Sequence, residues 1–241
     1  MAVKPLNERQ LFRMKRVNLE KRINQYYSET KDVDSVIEYS MAVSVFNAIT
    51  MTNYSFICKD LFKEIFLNSE PTEIMREYCL YFYDYFEYDE WEIVRDRLFK
   101  NRAEFSELTR AIRPETKYVR AASVPTNKKL DWLYENYLNE RDRKRAVKER
   151  YHYEINTFFL DEEGKRNQQT FKNADVSMPD TQLRALLEIL TRLTIFEKNG
   201  VRRFYEVLFP ECERSVGCTH YADEEEDAAF LQRKREEAET L

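Results

Sequence analysis

The chain has 241 residues, 43% of them hydrophobic and 34% charged, and a formal net charge of −5 at pH 7. Its 16 Phe and 16 Tyr exclude intrinsic disorder as the main state, because so much aromatic surface does not remain in water. Only three glycines are present, which is too few for a glycine-rich nucleotide-binding loop and leaves little turn chemistry for hairpins. Together with helical periodicity along most of the chain, this composition predicts an all-α protein built as a multi-helix bundle.

The N-terminal part of the chain is predicted to contain two successive helices. Asn7 is a predicted N-cap, and apolar residues at helical spacing continue the first helix to about residue 30. A run of twenty residues without charge, from Tyr39 to Cys58, follows. Its length is that of a membrane span, ~20 residues, but seven of the twenty residues are Ser, Thr or Asn. We therefore interpret the run as a central helix that is buried on most sides, followed by a turn near Thr52, Asn53 and Tyr54.

Residues 70–92 combine aromatic rings with negative charge. Eight acidic residues and one arginine give this segment a net charge of −7. One helix cannot bury so many rings in a single stripe, so the segment predicts a contact surface for a protein partner that carries a basic surface. The predicted partner-binding residues are the rings that would anchor the partner and the carboxylates that would steer it: Tyr81, Tyr85, Tyr88, Trp91, Glu87, Asp89 and Glu90. The alternative is internal, because residues 4–22 carry a net charge of +5 and could dock on this segment.

The chain is predicted to divide near its middle. A stretch with two prolines and no strong period predicts a linker there. In chain order, the predicted parts are an N-terminal helical bundle (1–113), the linker (114–127), a unit with one long helix (about 128–160) and C-terminal helices (128–221), and a charged helical tail (222–241).

Two further features are predicted within the second unit. Residues 161–177 are polar and contain Gly164, which predicts a loop. An amphipathic helix is predicted from Pro179 to Asn199, and its buried face should include leucines at helical spacing. These leucines are Leu186, Leu190 and Leu193.

The middle of the predicted long helix supports an alternative function. Residues 139–150 carry six basic and three acidic side chains, which a helix would distribute around its whole circumference. Such a piece is either a solvated part of a helix or a nucleic-acid-binding element of a regulator. The candidate nucleic-acid contacts are Arg141, Arg143, Lys144, Arg145, Lys148 and Arg150. The sequence pI of 5.4 is far below the values above 9 that are typical of nucleic-acid-binding domains.

The sequence offers little support for metal or enzyme chemistry. Cys212, Cys218 and His220 form a weak zinc candidate, because five residues separate the cysteines, whereas structural zinc pairs usually have two to four between them. We therefore predict neither a metal nor another cofactor. The chain also lacks a phosphate-binding loop, a nucleophile elbow and a paired-histidine metal motif, so we predict that it is not an enzyme.

These observations favour a non-enzymatic protein-interaction or assembly protein, structural or adaptor in kind. Cys58 and Cys79 lie in apolar helical patterns, where a free thiol behaves as a small buried hydrophobe. With a charged N-terminus in place of a signal peptide, this predicts a reducing, cytoplasmic compartment without membrane contact. The glycine-poor composition, rich in Tyr, Phe and Asn, points to a viral or phage component, in which case the virion is the expected location.

Overall fold

The computed structural model describes residues 3–50, 52–110, 113–121, 150–175 and 178–219. Its helices in these ranges are α1 (Glu8–Arg13), α2 (Arg16–Thr30), α3 (Val33–Ile49), α4 (Lys59–Asn68), α5 (Glu73–Tyr78), α6 (Tyr88–Leu98), α7 (Arg102–Arg110), α8 (Arg113–Ala121) and α9 (Asp180–Arg192), with 3-10 helices at Cys79–Tyr85 and Phe209–Glu211. Its strands are β1 (Arg150–Leu160), β2 (Arg166–Lys172), β3 (Glu197–Lys198), β4 (Val201–Arg202), β5 (Glu206–Val207) and β6 (Glu213–Thr219).

The fold combines helices with a small antiparallel sheet, so the prediction of an all-α protein is wrong. β1 is the central strand of this sheet: β2 pairs with it along one edge, and β5 and β6 pair with different parts of the other edge. β3 and β4 form a separate two-stranded ribbon. Along the chain, β1 and β2 lie between α8 and α9, and β3 to β6 follow α9. All of the described strands therefore belong to the C-terminal half.

The prediction of one long helix over residues 128–160 is wrong for its last eleven residues, which form β1. Burial alternates along this strand: Ile155 and Phe159 are buried, whereas Asn156 and Phe158 are half-buried. This period of two is typical of a strand with one face on the core, and aromatic and β-branched residues favour it. The remaining part of the predicted helix lies outside the described residues, as does the predicted tail 222–241.

The predicted polar loop 161–177 contains a tight turn followed by β2. The Asp161 side chain accepts hydrogen bonds from the backbone N–H groups of Glu163 (3.1 Å) and Lys165 (2.8 Å). Gly164 has a φ of +79°, a backbone conformation that residues other than glycine rarely adopt. The turn lets β2 return along β1, with Ile155 opposite Phe171.

The inner face of the sheet packs on aromatic side chains of the N-terminal helices. Phe171 lies 6.0 Å from Phe12 of α1 and 6.1 Å from Phe46 of α3, measured between ring centroids. The backbone N–H of Asp175 also donates to the carbonyl of Ile49, at 2.8 Å. The C-terminal sheet and the N-terminal helices therefore share one interior.

The first predicted helix is divided in two. Asn7 caps α1 as predicted, with a reciprocal capping box in which Asn7 and Gln10 each bond the other's backbone N–H at 3.0 Å. The chain then becomes extended at Met14 and Lys15 before α2 begins. α1 and α2 are thus separate helices that meet at a sharp bend.

α3 is the central helix of the fold. Asp32 caps it by accepting a hydrogen bond from the backbone N–H of Ser35, at 3.1 Å. Residues 36–49 are all buried, because α1, α2, α5, α8 and α9 pack around the helix. This confirms the buried helix for residues 39–49 of the uncharged run, and the rest of the run follows the end of α3. Within the described ranges, no helix has the length and apolarity that crossing a membrane requires.

The segment between α4 and α8 consists of several short helices. Glu87 is the N-cap of α6. Phe99 ends this helix, so that α7 is a separate element. The first part of the predicted linker is helical: α8 contains Pro114 within its first turn, where proline is tolerated.

The described buried hydrophobic side chains, except that of Tyr153, form one cluster that extends from Leu6 to Phe204. Leu186, Leu190 and Leu193 belong to it, each at most 1% exposed, which confirms their predicted burial. The cluster includes side chains from both sides of the predicted linker. The division into two units stays a prediction.

Candidate anion-binding surface

Three of the four aromatic residues predicted to anchor a partner lie inside the chain's own core. Tyr81 and Tyr85 are each 2% exposed, and Trp91 is 6% exposed. The Tyr85 ring lies 5.5 Å from that of Phe62, and the Trp91 ring lies 4.9 Å from that of Tyr83. The 3-10 helix and α6 together bury more rings than one straight helix could. In this conformation a partner cannot reach these three rings.

The other predicted partner-binding residues lie at the surface at the start of α6. Tyr88 is 72% exposed, and its hydroxyl donates to Glu92 at 3.4 Å. Glu87 and Asp89 are exposed as well. Glu90 is half-buried and forms an ion pair of 2.6 Å with Lys63 of α4.

The acidic segment 70–92 receives its counter-charges from neighbouring elements. Lys63 pairs with Glu90, and Arg120 of α8 makes a bidentate pair with Asp84 at 2.7 and 2.8 Å. Arg95 of α6 adds a further counter-charge 3.7 Å from Glu92, whereas Arg76, which pairs with Glu73, is the arginine already counted within the segment. Among the described ion pairs, none joins this segment to the basic residues 4–22. The segment is therefore closer to neutral than its sequence indicates. The basic N-terminus is further from neutral than its sequence indicates.

Both carboxylates of residues 4–22 are neutralised. Glu8 forms an ion pair with Arg203, which precedes Phe204 in the C-terminal core, and Glu20 pairs with Arg16 at 3.1 Å. Five exposed cations remain that have no carboxylate within 4 Å in the part of the chain that the structure describes. We call them the N-terminal basic surface: Lys4, Arg9, Arg13, Lys15 and Lys21.

A cavity of about 300 Å³ opens beside this surface. Glu8, Arg9, Phe12 and Arg13 line it from α1, and Gln169 lines it from β2. Arg9 and Arg13 are four residues apart, so they lie on the same face of α1. We call this cavity the α1–β2 pocket.

Glu8 sets the electrostatics of the pocket. Burial raises the pKa of its carboxyl group, while the positive charges of Arg203 and Arg13 act in the opposite direction. Arg203 is the partner in direct contact. The Arg9 and Arg13 guanidinium groups therefore remain available to an anion, which each can bind through two parallel hydrogen bonds.

Most of the predicted nucleic-acid contacts cannot be placed. Arg141, Arg143, Lys144, Arg145 and Lys148 lie outside the described residues. Arg150 is the first residue of β1, so the predicted basic helix does not extend to it.

The weak zinc candidate does not gain support. Cys212 is half-buried ahead of β6, and burial raises the pKa of its thiol. Cys218 lies near the other end of that strand, and six residue steps of extended chain separate the two Cα atoms by about 20 Å. His220 lies outside the described residues. Among the described side chains, no group of three or more His, Cys, Asp or Glu could hold a metal ion.

No protein-family model, curated protein or solved structure matches this chain. The sequence did contain the signal for the N-terminal basic surface, namely the net charge of +5 over residues 4–22. Its interpretation as an internal docking partner missed the surface, because the counter-charges from outside the acidic segment are Lys63, Arg95 and Arg120.

Proposed function

We propose that this chain is a non-enzymatic binding protein whose N-terminal basic surface holds the phosphate backbone of a nucleic acid. The observation that carries this proposal is the pairing of Glu8 with Arg203 and of Glu20 with Arg16, which leaves five exposed cations of residues 4–21 without a carboxylate within 4 Å in the described part of the chain. Cations left unpaired in this way bind phosphate and release its counterions.

The spread of the charges favours a polymer over a small anion. Arg9 and Arg13 lie about 6 Å apart along the axis of α1. Lys15 and Lys21 lie about 9 Å apart along the axis of α2, at its start. Duplex DNA offers one negative charge per ~1.7 Å of its axis, so its backbone presents phosphates at spacings that match these cations. The overall net charge of −5 repels phosphate from the rest of the molecule and confines the contact to this surface.

The test is to titrate the protein into a 20-base-pair duplex and into a single-stranded RNA of equal length. Binding is measured by fluorescence anisotropy at a series of salt concentrations. We expect log K to fall linearly with log salt, because each phosphate contact releases counterions. Arg9→Gln with Arg13→Gln should weaken binding to every sequence and reduce the slope by about 2, one for each lost contact.

The matched control removes two arginines from another helix. Arg102 and Arg110 of α7 are exposed, and their replacement by Gln should leave the slope unchanged. Binding of polyglutamate with the affinity of the duplex would contradict the proposal and indicate an acidic protein partner. Equal losses in the two double variants would contradict it too.

The assembly function predicted from the acidic segment stays a proposal. Its partner-binding surface is smaller than predicted, because Tyr81, Tyr85 and Trp91 are buried. Tyr88, which is 72% exposed, supports it, together with Glu87 and Asp89. An oligolysine peptide should bind the wild-type chain more tightly than Tyr88→Ala, because a large exposed ring is a typical anchor in protein interfaces. Equal affinities would contradict the assembly proposal.

A further inference from the structure

We propose that the α1–β2 pocket is a subsite for a phosphomonoester, the terminal phosphate of a nucleic-acid strand held on the N-terminal basic surface. This inference rests on the proposed function for the source of its ligand. The chemistry of the pocket itself would accept the phosphate of a free nucleotide equally well, so the experiment must separate the two sources.

The charge of the pocket matches a phosphomonoester. Arg9 and Arg13 line the cavity together. Glu8, the acidic residue of the lining, forms an ion pair with Arg203. A phosphomonoester carries a charge of about −1.5 to −2 at pH 7, since its second pKa is about 6. A phosphodiester within a strand carries a single negative charge. Two adjacent guanidinium groups therefore favour the end of a strand over its interior.

The walls of the pocket are held in place by the core. Phe12 is 5% exposed and stacks on Phe46 at 5.3 Å. Gln169 is 7% exposed, and its amide nitrogen donates to the backbone carbonyl of Thr170 at 3.0 Å. A site with fixed walls loses little conformational entropy when a ligand binds, which increases affinity.

The size of the pocket suits one nucleotide end. A volume of about 300 Å³ lies at the lower limit of cavities that hold small molecules. The residues that line it come from two elements far apart in the chain, α1 and β2, so the shape depends on the complete fold. The N-terminal basic surface continues from the pocket through Arg13 to Lys15, where the body of a bound strand would lie.

The experiment compares one 12-nucleotide strand with a 5′-phosphate, a 3′-phosphate or hydroxyl groups at both ends, together with the corresponding nucleoside monophosphate. We expect one of the phosphorylated strands to bind the full-length chain about ten-fold more tightly than the strand without a terminal phosphate. Arg13→Gln should abolish this preference, whereas Arg102→Gln should retain it.

The outcomes separate the two proposals. Equal affinity for all three strands would overturn the phosphomonoester subsite while leaving the N-terminal basic surface as a nucleic-acid-binding site. Tight binding of the monophosphate that Arg13→Gln abolishes, without binding of any strand, would support the pocket and overturn the proposed function. A terminal-phosphate preference that survives in Arg13→Gln would place the phosphate elsewhere and overturn the inference.

Discussion

At the scale of single residues, Glu38 is an uncommon feature, a carboxylate that is 1% exposed in the middle of the central helix. One of its oxygens accepts three hydrogen bonds, from the backbone N–H (2.8 Å) and hydroxyl (2.9 Å) of Thr194 and from the backbone N–H of Ile195 (2.9 Å). Burial raises the pKa of Glu38, and the hydrogen bonds from Thr194 and Ile195 oppose this shift only in part. Glu38 thus fixes the chain that follows α9.

Glu38 predicts a pH-dependent stability. Because its folded pKa lies above the ordinary value of 4.5, the stability that protonated Glu38 contributes is complete below that value and is lost as the pH rises through the folded pKa. Glu38→Gln keeps a carbonyl acceptor and removes the buried charge. We expect this variant to gain more stability relative to the wild type at pH 8 than at pH 5, measured by urea unfolding at both pH values.

Two variants complete this measurement. Glu107→Gln, at an exposed position of α7, should show the same difference from the wild type at both pH values. Glu38→Ala should destabilise the chain at either pH, because it leaves the donors of Thr194 and Ile195 unsatisfied. A Glu38→Gln effect that does not change with pH would contradict the prediction.

At the scale of elements, the β1–β2 hairpin depends on one turn. Asp161 holds the turn through its side chain, and Gly164 supplies the left-handed backbone at its end. A Cβ atom at position 164 would have no neighbour within 4 Å. The effect of a substitution there therefore comes from the backbone conformation and not from crowding.

Gly164→Val should destabilise the chain by more than about 1 kcal/mol, because a β-branched residue is strongly disfavoured at positive φ. Gly164→Asn should cost much less, since Asn enters the left-handed region more readily. Urea unfolding measures both free energies. Equal losses for Val and Asn would show that the turn does not need its left-handed residue.

At the scale of the whole molecule, one core joins the N-terminal helices to the C-terminal sheet and α9. Leu190 of α9 is fully buried in it, and Leu190→Ala should lower the free energy of unfolding by about 2–5 kcal/mol, as expected where a cavity remains. Leu108→Ala, at a side chain that is 51% exposed, should change it by less than about 0.5 kcal/mol. A small loss at Leu190 would mean that the core can collapse into the space.

The helices could be predicted from the sequence where their signals are local. Asn7 caps α1 through a side chain three residues from its partner, and the leucines of α9 follow a helical period. β1 was missed because Ile155 and Phe158 also fit a helical spacing, and its pairing with β2 and β6 depends on distant residues. The positive charges of the N-terminal basic surface could be counted from the sequence. Which of them are paired could not be predicted, since Arg203, the partner of Glu8, lies 195 positions away.

The burial of α3 has a consequence for synthesis of the chain on the ribosome. Fourteen consecutive buried residues, 36–49, are covered in part by α9, and Glu38 bonds to residues more than 150 positions later. At about 5–20 residues per second, roughly 8–30 s separate translation of α3 from that of α9. During that interval the most apolar of the described helices is incompletely covered and exposed to aggregation. Efficient production of this protein should therefore depend on chaperones that bind the growing N-terminal half.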